Sequence, residues 1–274
     1  MVWPLNLVTR LLASSPEPFK TLPPVVSSIA GGAPLRVLAL GDSITWGYND
    51  PTENSYRRDL ACLLWTGGNP VAMIGSIKHG NWDNNEVDAF IYHTIDDILR
   101  AGTGSLTLER EKKPNIITLH AGSVNFVLKK NVTDAPQRLG NLIDFITEEN
   151  PNALLVVSQL IPCLNPNATA HMDWYNAEMP KVVAARARQG KKVVMASMEG
   201  LTPKHVPDHA HPDEEGSRIM AQRFYDAIVE GGRRGLVTAP EGPFEDRGAG
   251  APREDGTCNE LVGGGGNQWY HSEL

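Results

Sequence analysis

Two short stretches of the chain hold residues able to do covalent chemistry: Leu40-Gly41-Asp42-Ser43-Ile44-Thr45-Trp46-Gly47 and Asp208-His209-Ala210-His211-Pro212. A serine hydroxyl is a poor nucleophile until an adjacent base takes its proton, and imidazole is the common base. An imidazole works as a base when a partner on Nδ1 fixes its tautomer. Asp208, three residues before His211, can turn to accept that Nδ1–H and leave Nε2 free. Each stretch also has a plain structural reading. Gly-Asp-Ser is a tight turn in which Asp42 and Ser43 cap a helix, and the second stretch is a turn ahead of a helix start. His205, His209, His211 and Asp208 form a candidate metal set, but they lack the helical or strand spacing and the clear third ligand of metal sites.

The elements that must bring Ser43 and His211 together are legible as alternating apolar runs and helical patterns. Residues 36–40, 71–75, 115–119, 154–157 and 192–196 read as buried strands. Residues 54–65, 133–150, 171–189 and 214–230 read as helices, with Pro180 a candidate kink, and a further helix starts at Thr94. This order predicts an α/β fold, a three-layer α/β/α sandwich around a five-stranded parallel sheet. Open sheets of this kind bind ligands beyond the carboxyl ends of their strands. Ser43 directly follows the first strand, at that edge.

Composition narrows the partners. The 274 residues carry a formal net charge of −7, with no lysine- or arginine-rich face to hold nucleic acid or an anionic membrane. No apolar run approaches the roughly 20 residues that span a bilayer. Residues 1–34 read as an N-terminal arm or linker, 35–235 as the folded domain, and 236–274 as a Gly/Pro-rich tail with little regular structure, on which Trp269 and Tyr270 are docking candidates. The first residues lack the basic start and unbroken apolar stretch of a signal peptide, which points to the cytoplasm. The sequons Asn131-Val-Thr133 and Asn167-Ala-Thr169 leave secretion open. Cys62, Cys163 and Cys258 allow at most one intrachain disulfide. Cys163, after Ile161-Pro162, reads by default as a buried inert thiol, and Trp46 and Trp82 as packing rather than pocket walls.

Taken together, Gly-Asp-Ser after the first strand and Asp-x-x-His-Pro before the last helix resemble the first and fifth motif blocks of the SGNH/GDSL hydrolase family, and the order of elements agrees over residues 36–230. The resemblance implies the flavodoxin-like fold of that family, Ser43 as nucleophile, His211 as general base and then acid, and Asp208 as the orienting carboxylate. It implies a small carboxylic ester as substrate, hydrolysed or used for acyl transfer, with no cofactor or metal. Two blocks depart from the pattern. Where the second block supplies a glycine N–H to the oxyanion hole, this chain has Tyr92, followed by His93-Thr94-Ile95-Asp96. The third block, Gly-x-Asn-Asp, reads Gly122-Ser123-Val124-Asn125, so a gapless alignment puts Val124 in place of the side-chain donor. Asn125 takes that role only if the loop is re-registered. Asp42, Tyr92, His93, Gly122, Val124 and Asn125 are therefore the candidate oxyanion and substrate-lining residues. Loss of one donor typically lowers kcat by about 10²–10³-fold. The alternative is a hydrolase-like protein repurposed for ligand binding or a non-hydrolytic step such as cyclisation.

Overall fold

The computed structural model describes residues 28–248; most of the expected N-terminal arm, and Cys258, Trp269 and Tyr270, lie outside the described residues. In chain order the elements are β1 (Leu35–Gly41), α1 (Ser43–Trp46), α2 (Ser55–Thr66), β2 (Val71–Ile74), β3 (Ile77–Lys78), β4 (Glu86–Ala89) and α3 (Ile95–Leu106). They continue with β5 (Ile116–His120), α4 (Ser123–Val127), α5 (Ala135–Glu149), β6 (Leu154–Ser158), α6 (Pro166–Arg188), β7 (Val193–Ala196) and α7 (Glu214–Arg233).

The five expected strands form a parallel sheet in the order β2-β1-β5-β6-β7. Two more strands were not expected from the sequence, and the sheet has seven. β4 runs parallel to the end of β1 (Leu40↔Asp88, Gly41↔Ala89), on the edge where β2 pairs with the start of that strand. β3 pairs antiparallel with β4 (Ile77↔Val87). Glu86-Val87-Asp88-Ala89 carries two carboxylates in four residues, too weak an apolar pattern to read as a strand. Tertiary structure makes it one: the buried Asp88 carboxylate accepts hydrogen bonds from the Ser76 backbone N–H at 2.7 Å and its hydroxyl at 2.8 Å. α6 also begins earlier than the pattern suggests, at Pro166, and runs through Pro180.

Successive strand residues point to opposite faces, and the core divides accordingly. Leu35, Val37, Ala39, Leu154 and Val156 pack with Leu60, Leu64, Phe224 and Ile228 of α2 and α7. Leu38, Leu40, Ile117, Leu155 and Val157 pack with Ile98, Leu142, Ile146 and Met179 of α3, α5 and α6. Both faces of the sheet are covered, which is why its strands read as continuous apolar runs. α3 starts with Thr94 and Asp97 in a reciprocal capping box, and α7 with Asp213 accepting from Gly216 N–H at 2.8 Å. Residues 236–248 hold no helix or strand, yet they are tied across the amino ends of the strands. Asn115 Nδ2 donates to Thr238 O at 2.7 Å, and Arg247 N to Val71 O at 3.0 Å.

Candidate active site

The turn from β1 into α1 is forced by its residue types. A Cβ on Gly41 would sit 2.7 Å from His120 O, so only glycine lets β1 pass β5 at this point. Asp42 then caps α1, its Oδ1 accepting from Ile44 N–H at 3.0 Å, which places Ser43 in the first turn at the carboxyl edge of the sheet. From the other end of the chain, the loop before α7 is folded by local hydrogen bonds. Asp208 Oδ1 accepts from the backbone N–H groups of Ala210 at 3.0 Å and His211 at 2.7 Å. His209 takes a left-handed φ of 75° and its carbonyl accepts from Leu164 N–H at 2.9 Å.

These two folded turns bring three side chains into one line. Ser43 Oγ lies 2.9 Å from His211 Nε2, and His211 Nδ1 lies 2.7 Å from Asp208 Oδ2. With Nδ1–H donating to the carboxylate, Nε2 accepts from the serine hydroxyl. Partial burial works against the Asp208 charge, but hydrogen bonds from the His211 backbone, the His211 ring, the Ala210 backbone and the Asn49 amide outweigh it and hold the carboxyl at about 2. His205 stands apart: its Nδ1 accepts from Thr202 N–H at 2.9 Å. Among the described residues, no group of three or more His, Cys, Asp or Glu side chains is placed to hold a metal ion.

Sequence reasoning missed two residues of this half of the site. Asn49, at a left-handed φ of 64°, donates its amide to Asp208, and the Tyr48 ring lies 4.8 Å from the His211 ring. Tyr48-Asn49-Asp50-Pro51 carries turn chemistry alone, and nothing local ties it to a loop almost 160 residues away. The buried Arg57 guanidinium supports that turn by donating to Trp46 O at 3.2 Å, Glu53 O at 2.7 Å and His79 O at 3.0 Å. Burial brings its pKa down to about 10. Trp46 stacks on His79 at 3.6 Å and Trp82 is buried, so both are packing residues.

The other half is built differently. Tyr92 follows β4, three residues beyond the Ala89 that pairs with Gly41. Its φ is +62°, a region natural for glycine, and the residue is 71% exposed. His93 is turned aside, with Nδ1 2.9 Å from Ile91 O and its ring against Phe90. Gly122, at φ +128° and with a virtual Cβ 2.9 Å from the Tyr175 ring, leads β5 into α4. Val124 is buried. Asn125 does not swing toward the serine: it is fully buried, its Oδ1 accepting from Ile95 N–H at 3.0 Å and its Nδ2 donating to Lys130 O at 2.9 Å. Asp42 is likewise fully buried below the turn, with Oδ1 3.3 Å from His120 Nδ1, an approach without hydrogen-bond geometry. Cys163 carries a free, buried thiol on the wall of an open cleft of about 780 Å³ beyond β6 and β7, which Gln159, Met172 and Met198 also line.

A model of the GDSL-like lipase/acylhydrolase family matches residues 39–219. Over 266 residues the chain is 27% identical to a multidomain esterase from Ruminococcus flavefaciens, a match taking in 85% of this chain and 33% of that protein. The chain thus spans about a third of the length of that curated relative. Among solved structures, a family 3 carbohydrate esterase from Clostridium thermocellum is 26% identical, with a TM-score of 0.64 over 74% of this chain and 98% of that one. A carbohydrate esterase of family 3 from Talaromyces cellulolyticus superimposes with a TM-score of 0.61 at 18% identity, covering 73% and 99% of the two chains, a likeness of fold.

Proposed function

The chain belongs to the GDSL-like lipase/acylhydrolase family, and on that premise we propose that it hydrolyses carboxylic esters of small acyl groups, with Ser43, His211 and Asp208 as its catalytic triad. The observation that carries the reading is the unbroken hydrogen-bond line from Ser43 Oγ through the His211 ring to Asp208, at 2.9 and 2.7 Å. Ser43 Oγ attacks the ester carbonyl while His211 Nε2 takes its proton, and the negative charge on Asp208 stabilises the imidazolium that forms. The oxyanion is met by the backbone N–H groups of Ser43 and Tyr92. Collapse expels the alcohol, which takes the proton back from His211. Water then attacks the acyl carbonyl as His211 takes its proton, and collapse breaks the bond to Ser43 Oγ, which takes that proton from His211 as the acid leaves.

Likeness to the Clostridium thermocellum carbohydrate esterase supports a sugar as the alcohol half. An open cleft adjoins the His211 loop through Leu164, which lines it and whose N–H donates to His209 O. Release of acetate from acetylated sugars tests the reading, with Ser43→Ala as the blank. No release above that blank, from these or from nitrophenyl esters, overturns it.

One observation favours a second reading, a site repurposed for binding or a non-hydrolytic step: Asn125 is engaged elsewhere, and a gapless alignment with the family pattern leaves Val124 at the donor position. Labelling by a fluorophosphonate separates the two. Labelling dependent on both Ser43 and His211 belongs to a working triad, and an inert Ser43 belongs to the repurposed site.

A further inference from the structure

We infer that the Ser123 hydroxyl supplies the side-chain donor that Val124 cannot, completing the oxyanion hole from one residue earlier in the chain. This rests on the reading of the site as an ester hydrolase. Three observations lead to it. Val124 has no donor to offer. Asn125, the other candidate, has its carbonyl on Ile95 N–H and its amide on Lys130 O, so it helps hold α3 and the end of α4 in place, and turning toward the serine would break both bonds. Ser123 is only 8% exposed, yet its Oγ makes no hydrogen bond.

Buried hydroxyls are almost always paired, and an unpaired one calls for an explanation, such as a bond made during function. Placement gives this exception a purpose. Gly41 and His120 are register partners at the carboxyl ends of neighbouring parallel strands. Ser43 lies two residues past that pair and Ser123 three, so both sit just beyond the same point of the sheet edge. The nearby Tyr175 hydroxyl is occupied with Ala121 O at 3.2 Å. A serine O–H rotates about one bond and can turn toward an oxygen as that oxygen gains charge. A bond absent from the free enzyme and formed only as the carbonyl becomes an oxyanion acts on kcat rather than on KM.

The test compares kcat and KM for 4-nitrophenyl acetate in the wild-type protein, Ser123→Ala and Ser123→Cys, with Ser43→Ala as blank and thermal melting as the fold control. Ser123→Ala is expected to lower kcat by about 10–10²-fold with KM changed less than about threefold. Ser123→Cys keeps the volume but offers a weak donor, and should show a similar loss even if the alanine variant folds poorly. Adding Val124→Asn to Ser123→Ala should recover at least about tenfold in kcat, because it returns an amide to the same hole. Wild-type kcat in folded Ser123→Ala or Ser123→Cys overturns the inference. So does a lowered melting temperature with kcat intact, which would make the hydroxyl a structural companion of the buried Asp42 and His120. A wild-type protein no faster than Ser43→Ala sinks the hydrolase reading itself, and is thereby distinct from a failure of Ser123 alone.

Discussion

The two ends of the sheet contrast sharply. At the amino ends, Arg36 is buried, and burial lowers its pKa, yet its guanidinium donates to Glu111 O at 2.9 Å, Lys113 O at 3.0 Å and Pro243 O at 2.8 Å. Asn115, also buried, accepts from Arg36 N–H at 2.7 Å and donates to Pro34 O and Thr238 O. At the carboxyl ends, Asp42 Oδ2, both His120 ring nitrogens and Ser123 Oγ are buried without hydrogen bonds, and Asn49, Tyr92 and His209 hold left-handed backbone. The amino end is the better satisfied, with Asn150 Oδ1 buried without a hydrogen bond and Ala30 at φ +48° as its exceptions; unpaired groups and left-handed backbone gather more densely at the carboxyl end. Such concentrations mark the part of a molecule shaped by chemistry rather than by stability.

If that division is right, substitutions at the two ends should separate cleanly into activity and stability. The largest effect belongs to Ser43→Ala, expected to lower ester turnover by at least about 10⁴-fold while the melting temperature stays within a few degrees. A comparable loss of stability would mean the carboxyl edge is structural after all.

Asp208→Asn should come next, with kcat down about 10²–10⁴-fold as the His211 tautomer is lost. It also has a pH signature. The Asp208 carboxyl is held at about 2 in the folded protein, below the usual carboxylate value near 3.9 in an unfolded chain. A depressed carboxyl adds stability above the unfolded value and loses that contribution as pH falls toward the folded one. Between about pH 4 and 2 the wild-type protein should therefore lose stability more steeply than Asp208→Asn, as read from urea midpoints across that window. Parallel curves would deny the hydrogen bonds their effect on the charge.

Asn115→Ala tests the other end. It leaves Arg36 N–H and two carbonyls without their partner, at a cost of about 2–4 kcal/mol in unfolding free energy. Turnover per folded molecule should stay within about twofold of wild type. A large drop in kcat at permissive temperature would couple the two ends and break the comparison.

The smallest effect sharpens rather than breaks it. Tyr92→Gly accepts the φ of +62° without strain but loosens the unfolded chain, so stability should stay within about 1 kcal/mol of wild type and kcat within a few fold. Tyr92→Val puts a β-branched residue at the same φ and should cost about 1–2 kcal/mol, with reduced kcat as the N–H is displaced. Equal kinetics for the valine and glycine variants would remove the Tyr92 N–H from the oxyanion hole.

The sequence by itself determined the parallel sheet, because strands buried on both faces must be continuous apolar runs and β1, β2, β5, β6 and β7 are such runs. It also singled out Ser43, Asp208 and His211 as candidates, because the Gly-Asp-Ser and Asp-x-x-His-Pro stretches together resemble two motif blocks of one hydrolase family. Tertiary structure alone decided the rest. β4 is a strand because β1 and Ser76 supply partners that its own four residues do not announce. Asn125 turns inward because Ile95 N–H and Lys130 O compete for its amide across 30 and 5 residues of chain. Asn49 reaches Asp208 because two turns 159 residues apart happen to meet over the same serine. Local pattern fixes which residues can do chemistry. Which of them find each other, and which are left unpaired like Ser123, depends on long-range hydrogen-bond partners that no stretch of sequence contains.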